Sequence, residues 1–334
     1  MPRVSILLPC RDAGAHLPEA AASLAAQTWR DWELIAVDDG STDRTPELLE
    51  EWRARDPRVR CLRTAPRGLV AALNAGLERA SGEIIARMDA DDVAHPERLA
   101  RQLAWLDANP DHAACGTRIR YFPRSVVHGG ALRYERWING LTQPTDLERD
   151  VFVECPIAHP TLAIRRVALD AACGYRDAGW PEDYDLVLRL WLARLQLANV
   201  PEPLLQWREG ESRLSRTDPR YSPAAFRRCK VHYLIRGYLE RFDGVVVWGA
   251  GPVGKAFARA LVAAGRTIRA FVDLDPRKIG QVVHGAPVVP PAAVRNFAEA
   301  FIVAAVGSAQ ARAEIRATIA AMGRVEMKDC CAVA

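Results

Sequence analysis

Four short apolar runs alternate with amphipathic stretches through the first hundred residues, and this rhythm is what most restricts the fold. Val4-Ser-Ile-Leu-Leu8, Glu33-Leu-Ile-Ala-Val37, Val59-Arg-Cys-Leu62 and Glu83-Ile-Ile-Ala-Arg-Met88 read as strands. Between them Leu17, Ala20, Ala21, Leu24 and Ala25 recur at helical spacing, Leu48, Leu49 and Trp52 share one face of 47–55, and 69–80 is helix-like. Strand–helix–strand units repeated in this way imply an α/β fold whose mainly parallel sheet is covered by helices on both faces.

Beyond this core, 94–109 predicts another helix, with Leu99, Leu103 and Leu106 on one side and Asn109-Pro110 as its stop. Residues 112–180 show no sustained period, Leu186–Leu195 is again helical in pattern, and 203–223 is polar and turn-rich. At Gly244 the texture changes. Val245–Trp248 reads as a strand, Gly249-Ala-Gly-Pro-Val-Gly254 as a glycine-rich turn, Lys255–Ala264 as a helix and Thr267–Val272 as a second strand ending in Asp273. A chain of 334 residues also exceeds the ~250–300 at which one core stops growing. The expected domains are therefore 1–241, with 224–241 as a connecting helix, and 242–334.

Charge and cysteine usage exclude several classes. The 45 basic and 41 acidic residues leave a net charge of +4, with no basic block interleaved with aromatics, so nucleic acid is not an expected partner. No apolar stretch approaches the ~20 residues that span a bilayer, and the N-terminus meets Pro9 too early for a signal peptide. The expected location is cytoplasmic, with mild basicity leaving open a peripheral contact at the cytoplasmic membrane face. Eight cysteines without a C-x-x-C pair read as reduced, mostly buried thiols.

Ligands of an open parallel sheet bind beyond the carboxyl ends of its strands. Here those ends carry Pro9-Cys-Arg-Asp12, Asp38-Asp39-Gly-Ser-Thr-Asp43 and Asp89-Ala-Asp-Asp92. Crowded carboxylates raise one another's pKa unless a cation or hydrogen-bond donors relieve them. Mg²⁺ or Mn²⁺ is suited to one or two carboxylates together with waters and phosphate oxygens. Taken singly, Asp91 or Asp92 could cap a helix beginning near Pro96, and Asp39 or Ser41 one near Pro46. Two acidic strand ends on one sheet edge favour a site.

The same residues form an ordered string that resembles the family 2 glycosyltransferases of the GT-A fold: Val4–Pro9, Ser23-Leu-x-x-Gln27-Thr, Leu34–Asp43, Leu73-Asn-Ala-Gly76 and Met88–Asp92. It continues through His159-Pro-Thr161, Gly174-Tyr-Arg176, Glu182-Asp-Tyr-Asp-Leu-x-Leu-Arg189 and Trp207-Arg208, covering roughly 1–215. The resemblance implies inverting transfer of a sugar from a nucleotide-diphosphate donor of UDP, GDP or dTDP type to a hydroxyl of a saccharide or lipid-linked saccharide, in glycan or polysaccharide synthesis. It assigns Asp38 and Asp39 to the base and ribose, with Pro9, Arg11 and Arg67 lining that pocket. Asp91, assisted by Asp89, would hold Mn²⁺ or Mg²⁺ against the diphosphate. Asp183 matches the family's general base, with Glu182 beside it, and helix capping near Tyr184 is its alternative. Arg208 is matched to a phosphate partner. Two departures stand out: Asp12 replaces a frequent Asn, and Gly210, between Glu209 and Glu211, replaces a frequent histidine. His159 reads equally as a structural histidine and as an acceptor-site residue.

Gly249, Gly251, Gly254 and Asp273 fit the dinucleotide fingerprint, and the tail resembles small Rossmann-like nucleotide-binding modules. A bound nucleotide or NAD(P) and a ligand-free packing or homo-oligomerisation module are both open. Two other functions are carried beside the transferase: an NAD(P)-linked sugar oxidoreductase, which lacks a Tyr-x-x-x-Lys pair in the tail, and a catalytically dead nucleotide-sugar-binding protein.

Overall fold

The structure, a computed structural model, describes residues 1–210 and 213–334, so Glu211 lies outside the described residues. Contacts divide the chain into two compact units, the first made of Met1–Leu147, Pro156–Ala178 and Asp185–Thr217.

The strands of the first unit are β1 (Val4–Cys10), β2 (Trp32–Asp38), β3 (Val59–Arg63), β4 (Ile84–Arg87), β5 (Val93–Ala94), β6 (His112–Phe122), β7 (Ala163–Arg165) and β8 (Gln196–Arg208). They form one sheet in the order β3-β2-β1-β4-β7-β6-β8-β5. β3, β2, β1 and β4 run parallel, as the alternation of runs predicts, while β7 is antiparallel to both β4 and β6. Every residue of β2 is buried, which is why Leu34–Val37 within it is a continuous apolar run rather than an alternating one.

The helices, in chain order, begin with α1 (Leu17–Ala25), α2 (Thr45–Arg55), α3 (Leu69–Arg79), α4 (Arg98–Ala108), α5 (Gly129–Gly140) and α6 (Pro144–Asp150). They continue with α7 (Arg166–Ala171), α8 (Glu182–Leu192) and α9 (Leu214–Thr217). The expected helix 94–109 starts four residues late because Val93–Ala94 pairs with β8 instead. The aperiodic region proves to hold β6, whose eleven residues pair with β8 across about eighty residues of chain, a long-range partnership that local periodicity cannot reveal.

The second unit comprises Glu148–Cys155, Gly179–Tyr184 and Asp218–Ala334. Its strands are β9 (Gly244–Trp248), β10 (Ile268–Val272), β11 (Val282–Val283), β12 (Ala286–Val289), β13 (Ala300–Ala304) and β14 (Cys330–Ala332), in the order β11-β12-β10-β9-β13-β14. All pairings are parallel except β11 with β12. Its helices are α10 (Pro223–Gly237), α11 (Pro252–Ala263) and α12 (Ala309–Ala321).

The last and longest stretch of the second unit thus begins at Asp218 rather than at 242, and α10 lies within it. The reason is burial: Lys230 of α10 donates to the carbonyls of Val153 and Val333 at 2.8 and 3.0 Å, and Tyr238 stacks on Phe301 of β13 with ring centroids 5.1 Å apart.

Candidate active site

Three strand ends meet on one edge of the first sheet. Cys10 is paired with Asp38, the Asp39 amide donates to the Cys10 carbonyl at 2.9 Å, and the Met88 amide donates to Leu7 at 3.1 Å. The acidic residues following β1, β2 and β4 therefore fall side by side. Cys10 registers their convergence: burial, then the charges of Asp38 and, further down, Asp89 push its thiol up, leaving it an inert filler.

Asp38 and Asp39 are both buried. Asp38 accepts the Ser41 amide at 2.9 Å through Oδ1, and Arg63 Nε lies 3.3 Å from Oδ2. Asp39 accepts the amides of Arg67 and Gly68 at 2.7 and 2.8 Å, and Arg11 approaches it at 3.5 Å. Since Gly68 is the N-cap of α3, this carboxylate also answers the orphan amides at that helix start. Arg67 contributes its backbone, and its side chain is exposed. Gly40, directly after Asp39, has φ +72, and a Cβ there would stand 2.8 Å from Pro66 Cδ, so glycine is required by both conformation and space. Neither Asp39 nor Ser41 caps α2; Asp43 accepts the Thr45 amide at 2.9 Å, and Ser41 Oγ accepts the Asp12 amide at 2.9 Å.

Asp12 itself has φ +47 and accepts the Thr42 amide at 2.8 Å. Asn tolerates the left-handed region equally well and offers the same acceptor, so this departure from the family pattern preserves the loop.

After β4, Asp89, Asp91 and Asp92 each offer one carboxylate oxygen, and these lie within 4.8 Å of one another. Asp92 does not cap α4. The Leu99 amide at that helix start is served by Gln27 Oε1 at 3.0 Å, while Asp92 is fully buried and accepts the Arg208 amide at 2.7 Å. Burial, and then repulsion by Asp89, push the Asp91 carboxyl up to about 6. Burial and both neighbouring aspartates push Asp92 well above the carboxylate range, and its Oδ2 has no hydrogen-bond partner among the described residues. Buried acids that repel one another and leave an oxygen orphaned fit a hard divalent cation.

Cations surround the cluster on the protein side, and sequence reasoning missed most of them. Arg87 is buried and pairs with Asp89. Arg98 is buried below it and donates to the Arg87 carbonyl at 2.6 Å. The one warning was a charged residue inside the otherwise apolar run Ile84–Met88. Arg208, which was expected, donates through Nε to the Asp91 carbonyl at 2.7 Å and pairs with Glu19. Arg213 was not expected; it lies over the Trp207 ring at 4.4 Å, and its charge holds Asp91 down against the burial and Asp89 effects that raise it. It also pairs with the buried Glu209 at 3.0 Å, as does Arg216, so the acid beside Gly210 is neutralised.

Glu182 and Asp183 belong to the second unit. Glu182 is buried and accepts the Tyr221 hydroxyl at 2.7 Å. Asp183 is half-buried in the first turn of α8, inside the helix rather than at its cap, and its Oδ1 accepts the Tyr184 amide at 2.7 Å. His159 is buried against Tyr175, its Nε2 3.1 Å from the hydroxyl, which fits the structural alternative.

In the second unit the glycine turn joins β9 to α11. A Cβ on Gly254 would stand 1.8 Å from the Gly249 carbonyl oxygen, so the helix packs this close to the turn only without a side chain. Asp273 is occupied: it accepts the Ala250 amide at 3.0 Å and the Lys278 ammonium at 2.9 Å.

Comparison with known proteins speaks to the family and the fold. The family model described as Glycosyl transferase family 2 matches residues 5–173. The putative glycosyltransferase EpsE of Bacillus subtilis is 30% identical over 226 residues, 66% of this chain and 78% of that protein. The amylovoran biosynthesis glycosyltransferase AmsE of Erwinia amylovora is 28% identical over 214 residues, 64% of this chain and 78% of that protein. Among solved structures, S. aureus TarS in complex with UDP-GlcNAc has a TM-score of 0.56 at 17% identity, covering 70% of this chain and 66% of that one. The mannosyltransferase PcManGT from Pyrobaculum calidifontis, in complex with GDP-Man and Mn²⁺, has a TM-score of 0.52 at 19% identity, covering 98% and 82%. At such identities these two likenesses speak for the fold, which is of GT-A type. With a family model matched over half its length and a relative covered over most of its own, the chain belongs to glycosyltransferase family 2.

Proposed function

We propose that the chain is an inverting glycosyltransferase of polysaccharide synthesis, moving a sugar from a nucleotide diphosphate to an acceptor hydroxyl. The observation that carries the reading is the cluster Asp89, Asp91 and Asp92, on the same sheet edge as Asp38 and Asp39. In this reading the Asp38–Asp39 pair, with Pro9, Arg11 and the Arg67 amide, receives the nucleoside. Asp89 and Asp91, backed by Asp92, would hold a divalent cation, which supplies Lewis acidity toward the leaving diphosphate. Arg208 and Arg213 offer fixed positive charge on the same side. Asp183 takes the proton of the acceptor hydroxyl as that oxygen attacks the anomeric carbon from the face opposite the diphosphate. The names of relatives acting in amylovoran and O-antigen biosynthesis support the polysaccharide setting.

A thermal-shift panel of UDP, GDP and dTDP with and without Mn²⁺ tests the donor site. Stabilisation by one nucleotide that needs both the metal and Asp91 is expected. A metal-independent shift, or none with any nucleotide, overturns the reading.

The second unit is read as a Rossmann-like module, favoured by its parallel order β12-β10-β9-β13-β14 with the glycine turn at the end of the central β9. The engagement of Asp273 with Lys278 weighs against NAD(P) on the Gly249, Gly251 and Gly254 turn. Titration calorimetry with NADH and nucleotides on the full-length Asp91→Asn chain separates a ligand in this unit from one in the first.

A further inference from the structure

Arg208, the last residue of β8, is pinned at three points. Its amide donates to Asp92 at 2.7 Å, and its Nε donates to the Asp91 carbonyl at 2.7 Å. Its guanidinium lies 4.3 Å over the ring of Phe122, its register partner on β6. Only 17% of the side chain is exposed. The guanidinium is thereby fixed against the acidic cluster, and what remains to it is the outer edge of the fork. There Nη2 pairs with Glu19, and the guanidinium makes no further hydrogen bond among the described residues.

Glu19 is the opposite case. It stands in the first turn of α1, at an exposed position of a helix that buries Leu17, Ala20 and Leu24. Its side chain is 55% exposed, and Arg208 is the one hydrogen-bond partner of its carboxylate among the described residues. One member of the pair is therefore immobile and the other is free to turn into water. The width of a single guanidinium separates the Asp91 carbonyl on Nε from the Glu19 carboxylate on Nη2. Glu19 thus holds the place of an anion directly beside the residues read as the cation site. An ion pair with one arm in water contributes little, whereas a phosphate meets an arginine fork through two charge-assisted hydrogen bonds. A phosphate oxygen arriving beside the cluster displaces the carboxylate.

We propose that Glu19 is a positioning residue that stands in for the donor's diphosphate on Arg208, yields the arginine as the donor binds and retakes it as the nucleoside diphosphate leaves. The proposal rests on the donor-site reading given above. Its consequence is a donor held less tightly than Arg208 alone would hold it, and a product that is released faster. The test is calorimetric titration of the full chain with UDP, GDP and dTDP in Mn²⁺, for the parent, Glu19→Gln, Glu19→Ala, Arg208→Gln and the double variant Glu19→Gln/Arg208→Gln. Both Glu19 variants are expected to bind the nucleotide about fivefold more tightly, the worth of one exposed ion pair. A carboxylate that merely braced α1 would give no such gain when removed. Arg208→Gln weakens binding, and in its background Glu19→Gln changes nothing, since the two act as one unit. Unchanged or weaker binding by the Glu19 variants, with binding by the parent still dependent on Arg208, overturns the proposal and leaves the donor site standing. So does an equal gain without Arg208, which would mark Glu19 as a distant repulsive charge. Absence of nucleotide binding by the parent overturns the donor-site reading and this proposal with it.

Discussion

Asp91→Asn has two effects of opposite sign, and both follow from the crowding of three carboxylates. In the folded chain Asp91 has its carboxyl at about 6 against an ordinary 3.8. The folded state therefore holds this proton more tightly than the unfolded chain does, by about 3 kcal/mol at ~1.4 kcal/mol per tenfold. For a raised value, the stabilising contribution is complete below the ordinary pKa and is lost as the pH climbs through about 6. At pH 8 the ionised side chain is thus a burden on the metal-free fold. Asn keeps the shape and removes the charge. Because Asp91 is partly solvated and shares its repulsion with Asp89, about 1–2 kcal/mol of the figure is expected as gained stability. That corresponds to a melting temperature higher by about 2–8 °C.

The assay is thermal unfolding in EDTA at pH 8 and at pH 5, followed by a repeat with Mn²⁺ and the nucleotide found to bind. In EDTA the variant melts above the parent at pH 8, and the gap narrows at pH 5, where the parent has taken up the proton. With metal and nucleotide the order reverses. The parent gains about 2.7 kcal/mol at a hundredfold excess over Kd, and the variant gains none. A variant that melts below the parent at pH 8 without metal refutes the electrostatic reasoning. One that still responds fully to Mn²⁺ refutes the ligand role.

Asp183→Asn is expected to lower kcat about 10²–10⁴-fold while leaving the metal-dependent nucleotide shift intact; measurable loss of nucleotide binding would contradict a base that acts only on the acceptor. Asp39→Ala strands the Arg67 and Gly68 amides that it accepts at 2.7 and 2.8 Å. A loss of about 3 kcal/mol in denaturant unfolding is expected from two charge-assisted hydrogen bonds, and an unchanged midpoint would show that water replaces them. Gly254→Ala places a Cβ against the Gly249 carbonyl and should destabilise the second unit by about 3 kcal/mol or more. Hydrogen exchange at β9 reads this directly, and unchanged protection there would show that the turn gives way.

The parallel half of the first sheet was legible because β1, β2 and β4 are mostly apolar runs with a polar stop. That is the pattern a strand buried on both faces must show. The acidic strand ends were legible for the same reason, since a stop made of aspartates is conspicuous. What stayed hidden is whatever depends on distant chain. β6 and β8 find each other across the gap between His112 and Gln196, and nothing local to either announces the partner. Gln27 takes the helix-capping role that proximity would give to Asp92, freeing that carboxylate for the cluster. Arg213 lies over Trp207 from a stretch of sequence with no periodic pattern, so its nearness to the acids had no trace in spacing. The second unit's early segments, 148–155 and 179–184, were invisible to a boundary drawn from texture, because recruitment into a core depends on contacts and not on composition.

That recruitment has a consequence for how the chain can be taken apart. The polypeptide passes from one unit to the other five times before it ends, so no single cut yields two whole pieces. Ending the chain at residue 217 would delete Tyr221, the hydroxyl that Glu182 accepts, and would leave 148–155 and 179–184 without the body they fold into. Starting it at 242 would leave Val333 without the Lys230 ammonium. Shuffling this tail onto another transferase would therefore mean transplanting three stretches together, and nature faces the same constraint when it recombines the genes.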